Sequence, residues 1–345
     1  MNKFADKLKS FVLVLRIFLK VTRMRLYYRV FANAIKNAAG LHSPSSAVIG
    51  LTYMCQLRCS HCSAGLYKRE TAEELSTAQW LAILGAISDV GVPRLNISGG
   101  EALLRKDIFD IIRFASRHFV TVLESNGLLL TEGTLLDLKT AGVSCVAVSI
   151  DVPDPKEHDA LRNNAGCFKS AIQGLKNCVK AAVPCLISTY VTSKRADAQG
   201  DIHAIIKLAR DLGVMAVRVM PARPVGSFQC HAAETLNPKQ EKELLKNLDP
   251  CITYFKGLPA PDDCGIFKRS TFYVSPYGEI QPCAYLPLTF GSALKGPLAT
   301  TLDKMWSHTI FKVPHKDCLI IDPAFRNRHI PSGENVKGKF PLEIK

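Results

Sequence analysis

LTYMCQLRCSHCSAG, residues 51–65, decides how the rest of this 345-residue chain is read. Cys55, Cys59 and Cys62 are spaced C-x3-C-x2-C, directly after an apolar run, Ala47–Tyr53, that reads as a strand. Three thiols so close together, in a chain with no convincing export signal, read as metal ligands rather than as part of a disulfide framework. They can fill three corners of a cubane iron–sulfur cluster, leaving the fourth iron open to a small molecule. Structural zinc is the rival, and it needs four ligands in closed tetrahedral geometry. His61 directly precedes Cys62 and would crowd such a site.

Outward from this loop the sequence keeps a regular rhythm. Further strand-like runs are Arg94–Ser98, Val120–Ser125, Cys145–Ile150, Pro184–Val191 and Met215–Val219, with helical patterns over 76–90, 106–118, 131–141, 167–182 and 201–212 between them. Gly91, Gly142 and Gly213 close three of those helices. Such alternation implies a parallel sheet with right-handed crossovers. Six units are short of the eight that close a full barrel, so a partial (β/α)6 TIM-like barrel is expected, with a doubly wound open sheet as the alternative. Polar and glycine-rich residues gather after the strands: Ser98-Gly99-Gly100-Glu101, Ser125-Asn126-Gly127 and Ser149-Ile150-Asp151. Parallel barrels build their sites at those strand ends, so one ligand site assembled from the loops is expected.

Composition is ordinary for a globular protein, 47% hydrophobic and 21% charged. Cys145, Cys178 and Cys185 lie in apolar runs and read as core thiols. Net charge is +14, of which +8 falls in residues 1–40, with nine basic residues and one acid. The basicity is therefore a property of the N-terminal arm, and nucleic-acid binding by the rest is not expected. In that arm Phe4, Leu8, Phe11, Leu15, Phe18, Leu19, Thr22 and Leu26 recur at steps of three and four, with Lys9, Arg16, Lys20 and Arg23 on another face. A basic amphipathic helix follows, too interrupted by charge to span a bilayer. It lies on an anionic membrane surface through residues 1–36, docks onto a partner, or packs on its own domain.

The cysteine loop after a first strand, Ser98-Gly99-Gly100-Glu101 after the second, and the motifs that follow resemble the radical S-adenosylmethionine (radical SAM) superfamily over about residues 45–225. The resemblance implies that Cys55, Cys59 and Cys62 ligate a [4Fe-4S] cluster whose open iron chelates S-adenosylmethionine. It implies that Gly99, Gly100 and Glu101 receive the methionyl amino group, and that His61 takes the position beside the adenine. Ser125, Asn126, Ser149 and Asp151 fall where ribose and carboxylate contacts are made, and Arg218–Met220 near the adenine. One departure is Ala102, where the family commonly has proline. The implied chemistry is reductive cleavage of S-adenosylmethionine to a 5′-deoxyadenosyl radical, which abstracts hydrogen from a C–H bond.

Residues 264–283, CGIFKRSTFYVSPYGEIQPC, carry a β-hairpin pattern between Cys264 and Cys283, followed by Leu302–Trp306 and Cys318. This resembles the SPASM or twitch extensions that hold auxiliary Fe–S clusters. It implies a second cluster on Cys264, Cys283 and Cys318, with the fourth ligand open between Cys251, Cys230, a non-cysteine group and substrate. The dense cysteine block of the full SPASM form is missing. The expected organisation is an arm over 1–44, a core over 45–225 and a small α+β extension over 226–345.

The expected function is a radical SAM enzyme acting on a small molecule, weakly favoured as lipid-like by the basic arm. A peptide maturase is the alternative, disfavoured because no leader-binding domain is recognisable before the core. A non-catalytic Fe–S or zinc protein for electron transfer or nucleic-acid binding is the alternative of another class. A flavodoxin- or ferredoxin-like reductant and a reducing, cytoplasmic setting, with peripheral membrane contact, complete the expectation.

Overall fold

The computed structural model describes residues 3–41, 43–197, 199–255, 264–312, 318–330 and 340–344. The arm forms two helices, α1 (Lys3–Val21) and α2 (Tyr27–Ala38), joined by a 3-10 turn at Met24–Leu26. The core then runs β1 (Ser46–Gly50), α3 (Thr77–Asp89), β2 (Arg94–Ser98), α4 (Ile108–His118), β3 (Val120–Ser125), α5 (Glu132–Ala141) and β4 (Cys145–Ser149). It continues with α6 (Pro155–Arg162), α7 (Cys167–Lys180), β5 (Cys185–Val191), α8 (Ser193–Asp197), α9 (Gln199–Leu212) and β6 (Val217–Pro221). After these come α10 (Pro238–Lys246), β7 (Thr253–Phe255), β8 (Thr271–Val274), β9 (Ile280–Gln281), β10 (Leu288–Thr289), α11 (Leu298–Ser307), α12 (Pro323–His329) and β11 (Leu342–Glu343).

The main sheet has nine strands in the order β7-β6-β5-β4-β3-β2-β1-β8-β9. All neighbours pair in parallel except β8 and β9, which form the expected hairpin. Strands β1 to β6 stand side by side in chain order. A doubly wound sheet would reverse that order at a switch point, so the partial-barrel arrangement is the one adopted. The parallel strands are buried on both faces, as in β4, where Cys145, Val146, Ala147 and Val148 are all buried.

Three strands of the main sheet, β7, β8 and β9, lie outside the six-unit pattern. β7 extends the sheet beyond β6, and β8 pairs with β1, Ala47 opposite Phe272. The C-terminal residues thus continue the sheet of the core. A single apolar core joins Ile49, Leu95 and Ile187 to Phe272, Ile280 and Leu302. The smaller sheet, β10 with β11, pairs residues 288–289 with 342–343.

The arm packs beneath the sheet, at the N-terminal ends of the strands. Leu13, Val21 and Leu26 share a second core with Val120, Cys145, Leu186 and Met215. Its arginines donate to carbonyls on that underside: Arg29 to Ser88 in the last turn of α3 (2.5 Å), Arg25 to Ser116 in the last turn of α4 (2.9 Å) and Arg16 to Met215 (3.2 Å). Helix C-termini carry negative partial charge and unpaired carbonyls, so guanidinium groups are well matched to them. Part of the arm's basicity is thereby accounted for without nucleic acid.

Candidate metal and cofactor site

The cysteine loop leaves the C-terminal end of β1 and is tied down on three sides. On one side β2 runs into Gly99-Gly100, whose backbone packs directly on the loop. Gly100 N–H donates to Thr52 O (2.6 Å) and Glu101 N–H to Met54 O (2.8 Å). A Cβ on Gly100 would sit 2.2 Å from Met54 O, so only glycine allows this approach. On the second side the C-terminus of α6 receives the loop: Ser60 N–H donates to Leu161 O (2.9 Å), and Asn163 Nδ2 to Arg58 O (3.4 Å). On the third, Ser227 N–H donates to Cys62 O (2.9 Å). Gly226 there is left-handed (φ 57°), and a Cβ on it would meet Cys62 O at 2.3 Å.

Glu101 is fully buried and joins the β2 and β3 loops. Its carboxylate accepts from Leu103 N–H (3.2 Å), Ser125 Oγ (3.1 Å) and Asn126 N–H (2.9 Å). Burial pushes its carboxyl upward, and these donors oppose that. The side chain caps the 3-10 turn Ala102–Leu104 and fixes the β3 loop. Asn126, so placed, points Nδ2 at Cys55 Sγ (3.9 Å).

Asp151, after β4, is buried against Arg162 of α6 and His61 of the cysteine loop. Arg162 donates from Nε (2.9 Å) and from its terminal nitrogen (2.7 Å) to one carboxylate oxygen, and His61 Nε2 lies 3.3 Å from the same atom. Burial opposes the Asp151 charge, yet Arg162 and His61 outweigh it and hold the carboxyl well below the usual carboxylate range. His61 is thus turned to Asp151, and its ring stacks on Tyr190 of β5 with centroids 4.7 Å apart. His61 Nδ1 and Tyr190 Oη are buried and find no partner among the described residues. Ser149 is half-buried at the end of β4. Arg218 reaches across the interior to Glu124 of β3 (2.8 Å) and to Ser188 of β5, while Asn96 of β2 also donates to Glu124 (3.1 Å).

The sequence motifs single out neither Arg162 nor His158, because α6 falls in none of the helical patterns. The signal for it was Asp154-Pro155: Asp154 caps the helix by accepting from Glu157 N–H (2.8 Å), and Pro155 opens it. His158 is fully buried and accepts at Nδ1 from Asp151 N–H (3.3 Å), which places its proton on Nε2, facing Cys167 Sγ. Burial pushes the His158 imidazole down to about 4, against the opposing pull of Asp151.

The thiols suit an iron–sulfur cluster by donor chemistry. Leu57 N–H donates to Cys55 Sγ (3.4 Å), in addition to Asn126. Burial pushes all three thiols up, Cys59 to about 12. The N–H groups of Ala64 and Gly65 and the Arg162 guanidinium pull Cys62 back, and Arg162 also pulls on Cys59. Hydrogen bonds to sulfur and a nearby cation are what stabilise cluster thiolates. Among the described residues no three His, Cys, Asp or Glu converge closely enough to hold a single metal ion. Structural zinc would also need a fourth ligand beside the three thiols.

The second thiol set lies at β8–β9. Cys264 is buried and Cys283 and Cys318 are half-buried. Burial pushes Cys283 up to about 12, with Cys318 and Cys264 adding to it, so the three sense one another's charge. Tyr67, fully packed in the core, senses both Cys283 and Cys62 and lies between the two sets. Cys230 and Cys251 are exposed. Tyr285, just past Cys283, reaches Met220 of β6 with its hydroxyl (3.9 Å) and lies under the Arg223 guanidinium (5.8 Å).

The family model for the radical SAM superfamily matches residues 49–211. The chain is 28% identical to the AdoMet-dependent heme synthase of Oleidesulfovibrio alaskensis, over 72% of each protein. It is 26% identical to the PqqA peptide cyclase of Rhizobium meliloti, over 71% of this chain and 66% of that one. In fold it is similar to Streptococcus suis SuiB, solved bound to precursor peptide SuiA, at a TM-score of 0.65 and 18% identity over 83% of this chain and 71% of that one.

Proposed function

This chain belongs to the radical SAM superfamily, an enzyme family that works with a [4Fe-4S] cluster and S-adenosylmethionine, and on that premise we propose that it modifies a C–H position of a peptide. The observation behind the cofactor assignment is the loop of Cys55, Cys59 and Cys62, clamped between Gly100, α6 and Gly226 with N–H donors on its sulfurs. When bound, the cluster and S-adenosylmethionine supply a 5′-deoxyadenosyl radical that removes a hydrogen atom from the substrate, given one electron from a flavodoxin- or ferredoxin-like donor. The protein's own part is orientation. Glu101 holds the β3 loop so that Asn126 meets Cys55. Asp151 and Arg162 fix His61 against Tyr190, where two buried polar atoms face the site. Gly99 and Gly100 bring the β2 backbone onto the loop, where a bound ammonium would meet it. Cys264, Cys283 and Cys318 would hold the auxiliary cluster, with Tyr285, just past Cys283, held under Arg223.

The substrate class moves from the small molecule expected on sequence to a peptide because a peptide cyclase stands among the similar relatives. The small-molecule reading keeps one observation in its favour, the similarity to heme synthases. The two separate by hydrogen transfer. Reconstituted enzyme, reductant and S-adenosylmethionine are incubated with a perdeuterated peptide fraction or a perdeuterated small-molecule fraction, and the 5′-deoxyadenosine is weighed by mass spectrometry. Deuterium from the peptide fraction alone is expected. Deuterium from the small-molecule fraction alone overturns the peptide reading and leaves the radical chemistry intact.

A further inference from the structure

Of the apolar stripe that the arm's sequence advertises, Thr22 and Leu26 are buried, but Leu8, Phe11, Leu15 and Leu19 are not. In α1 the barrel covers Leu13, Ile17 and Val21, spaced by four, with Leu13 only 2% exposed. Leu8, Phe11, Val12, Leu15 and Leu19 form a second stripe, and these remain 42–63% exposed. At about 100° per residue the centres of the two stripes are about 180° apart on the helix. α1 is therefore apolar on two opposite faces, with one turned outward. α2 also turns an apolar face outward: Tyr28, Phe31 and Ile35, spaced by three and four, are exposed, while the polar Asn33 is the side chain buried, against Ser43 and Pro44. Phe18 of α1 meets both Tyr27 and Phe31 of α2, making the outward surface continuous across the two helices.

Eight large apolar side chains on one outward surface exceed what a soluble domain ordinarily leaves uncovered. Charge selects the occupant. Residues 1–40 carry +8, and Lys9, Arg16 and Lys20 lie on the flank between the two stripes of α1. A second copy placed face to face would bring two such arms together and repel. A lipid surface of negative charge accepts both the stripe and its basic flank. No described helix is long and apolar enough to cross a membrane, so the contact is lateral.

We infer that α1 and α2 are a docking surface for an anionic lipid bilayer, through Leu8, Phe11, Val12, Leu15 and Leu19 of α1 and Tyr28, Phe31 and Ile35 of α2. The arm covers the N-terminal ends of the strands, whereas the cysteine loop leaves their C-terminal ends. A docked enzyme accordingly presents its candidate site away from the bilayer, toward a water-borne substrate. This last point rests on the site assignment above; the docking itself does not.

The test is co-sedimentation of the full chain with phosphatidylcholine vesicles, with and without phosphatidylglycerol, together with light scattering of the free protein. The wild type should partition onto the anionic vesicles only, and release as salt rises. The Leu15→Ser/Leu19→Ser variant should bind at least about tenfold more weakly. Its melting temperature should not fall, because neither residue packs in the core. Equal binding to both vesicle types, no binding, or unchanged binding by a folded variant overturns the inference. So does a wild-type dimer that the variant converts to monomer without any vesicle binding, because the face then belongs to a second copy.

Discussion

Arg162 carries more of the site than any residue the sequence singled out. It compensates a carboxylate that is 4% exposed and ties the end of β4 to α6. Arg162→Met leaves Asp151 buried without its partner and should cost about 3–5 kcal/mol. Adding Asp151→Asn should restore most of that loss, since a buried amide needs no counter-charge. Thermal unfolding of the single and double variants checks this; equal loss in both would contradict the pairing. His158 gives a second test. Its folded value, about 4, is below the 6.5 of an unfolded imidazole, so the unfolded chain binds more protons between those values. The neutral histidine's contribution is fully present above about pH 6.5 and is lost as pH falls toward 4, amounting to about 3 kcal/mol. His158→Asn should flatten stability against pH across that window, measured by denaturant unfolding at pH 7 and pH 5.

Elements, rather than single side chains, set where the thiols stand. The loop between β1 and α3 has no regular structure of its own, and its position is inherited from β2, α6 and the turn at Gly226. Gly226→Ala should push Cys62 away by overpacking, at about 1–3 kcal/mol. The expected readout is a reconstituted protein that keeps its secondary structure and loses iron from this site, followed by absorbance and circular dichroism together. The strands and their terminal glycines were legible because parallel strands are continuous apolar runs, and Gly91, Gly142 and Gly213 all adopt the left-handed conformation that stops a helix. α6 was not legible because its apolar face is small: two of its residues, His158 and Arg162, are buried and polar. The placement of β8 beside β1 was not legible either. Pairing between residues 46 and 271 is decided by packing, and nothing local to either strand records it.

The whole molecule is a sheet closed at one end by the arm, with the Cys55–Cys62 loop leaving the other and a second set of thiols flanking the β8–β9 hairpin. Leu13→Ala removes the most buried contact that α1 makes with the underside and should destabilise the fold by about 2–5 kcal/mol. The same change at Leu15 should cost almost nothing, and the contrast, read by thermal melting, distinguishes the packed stripe from the outward one. Sequence periodicity could not make that distinction, since both stripes repeat with the same step. The thiol loop stands out in the sequence because C-x3-C-x2-C after one strand is followed by Ser98-Gly99-Gly100-Glu101 after the next. The most direct test of the account is iron and sulfide content after anaerobic reconstitution, for the wild type and for Cys55→Ala/Cys59→Ala/Cys62→Ala, with S-adenosylmethionine cleavage under strong reductant measured in parallel. The account predicts about eight irons in the wild type, about four in the variant, and cleavage in the wild type alone. A wild type that binds zinc and leaves S-adenosylmethionine intact would contradict it.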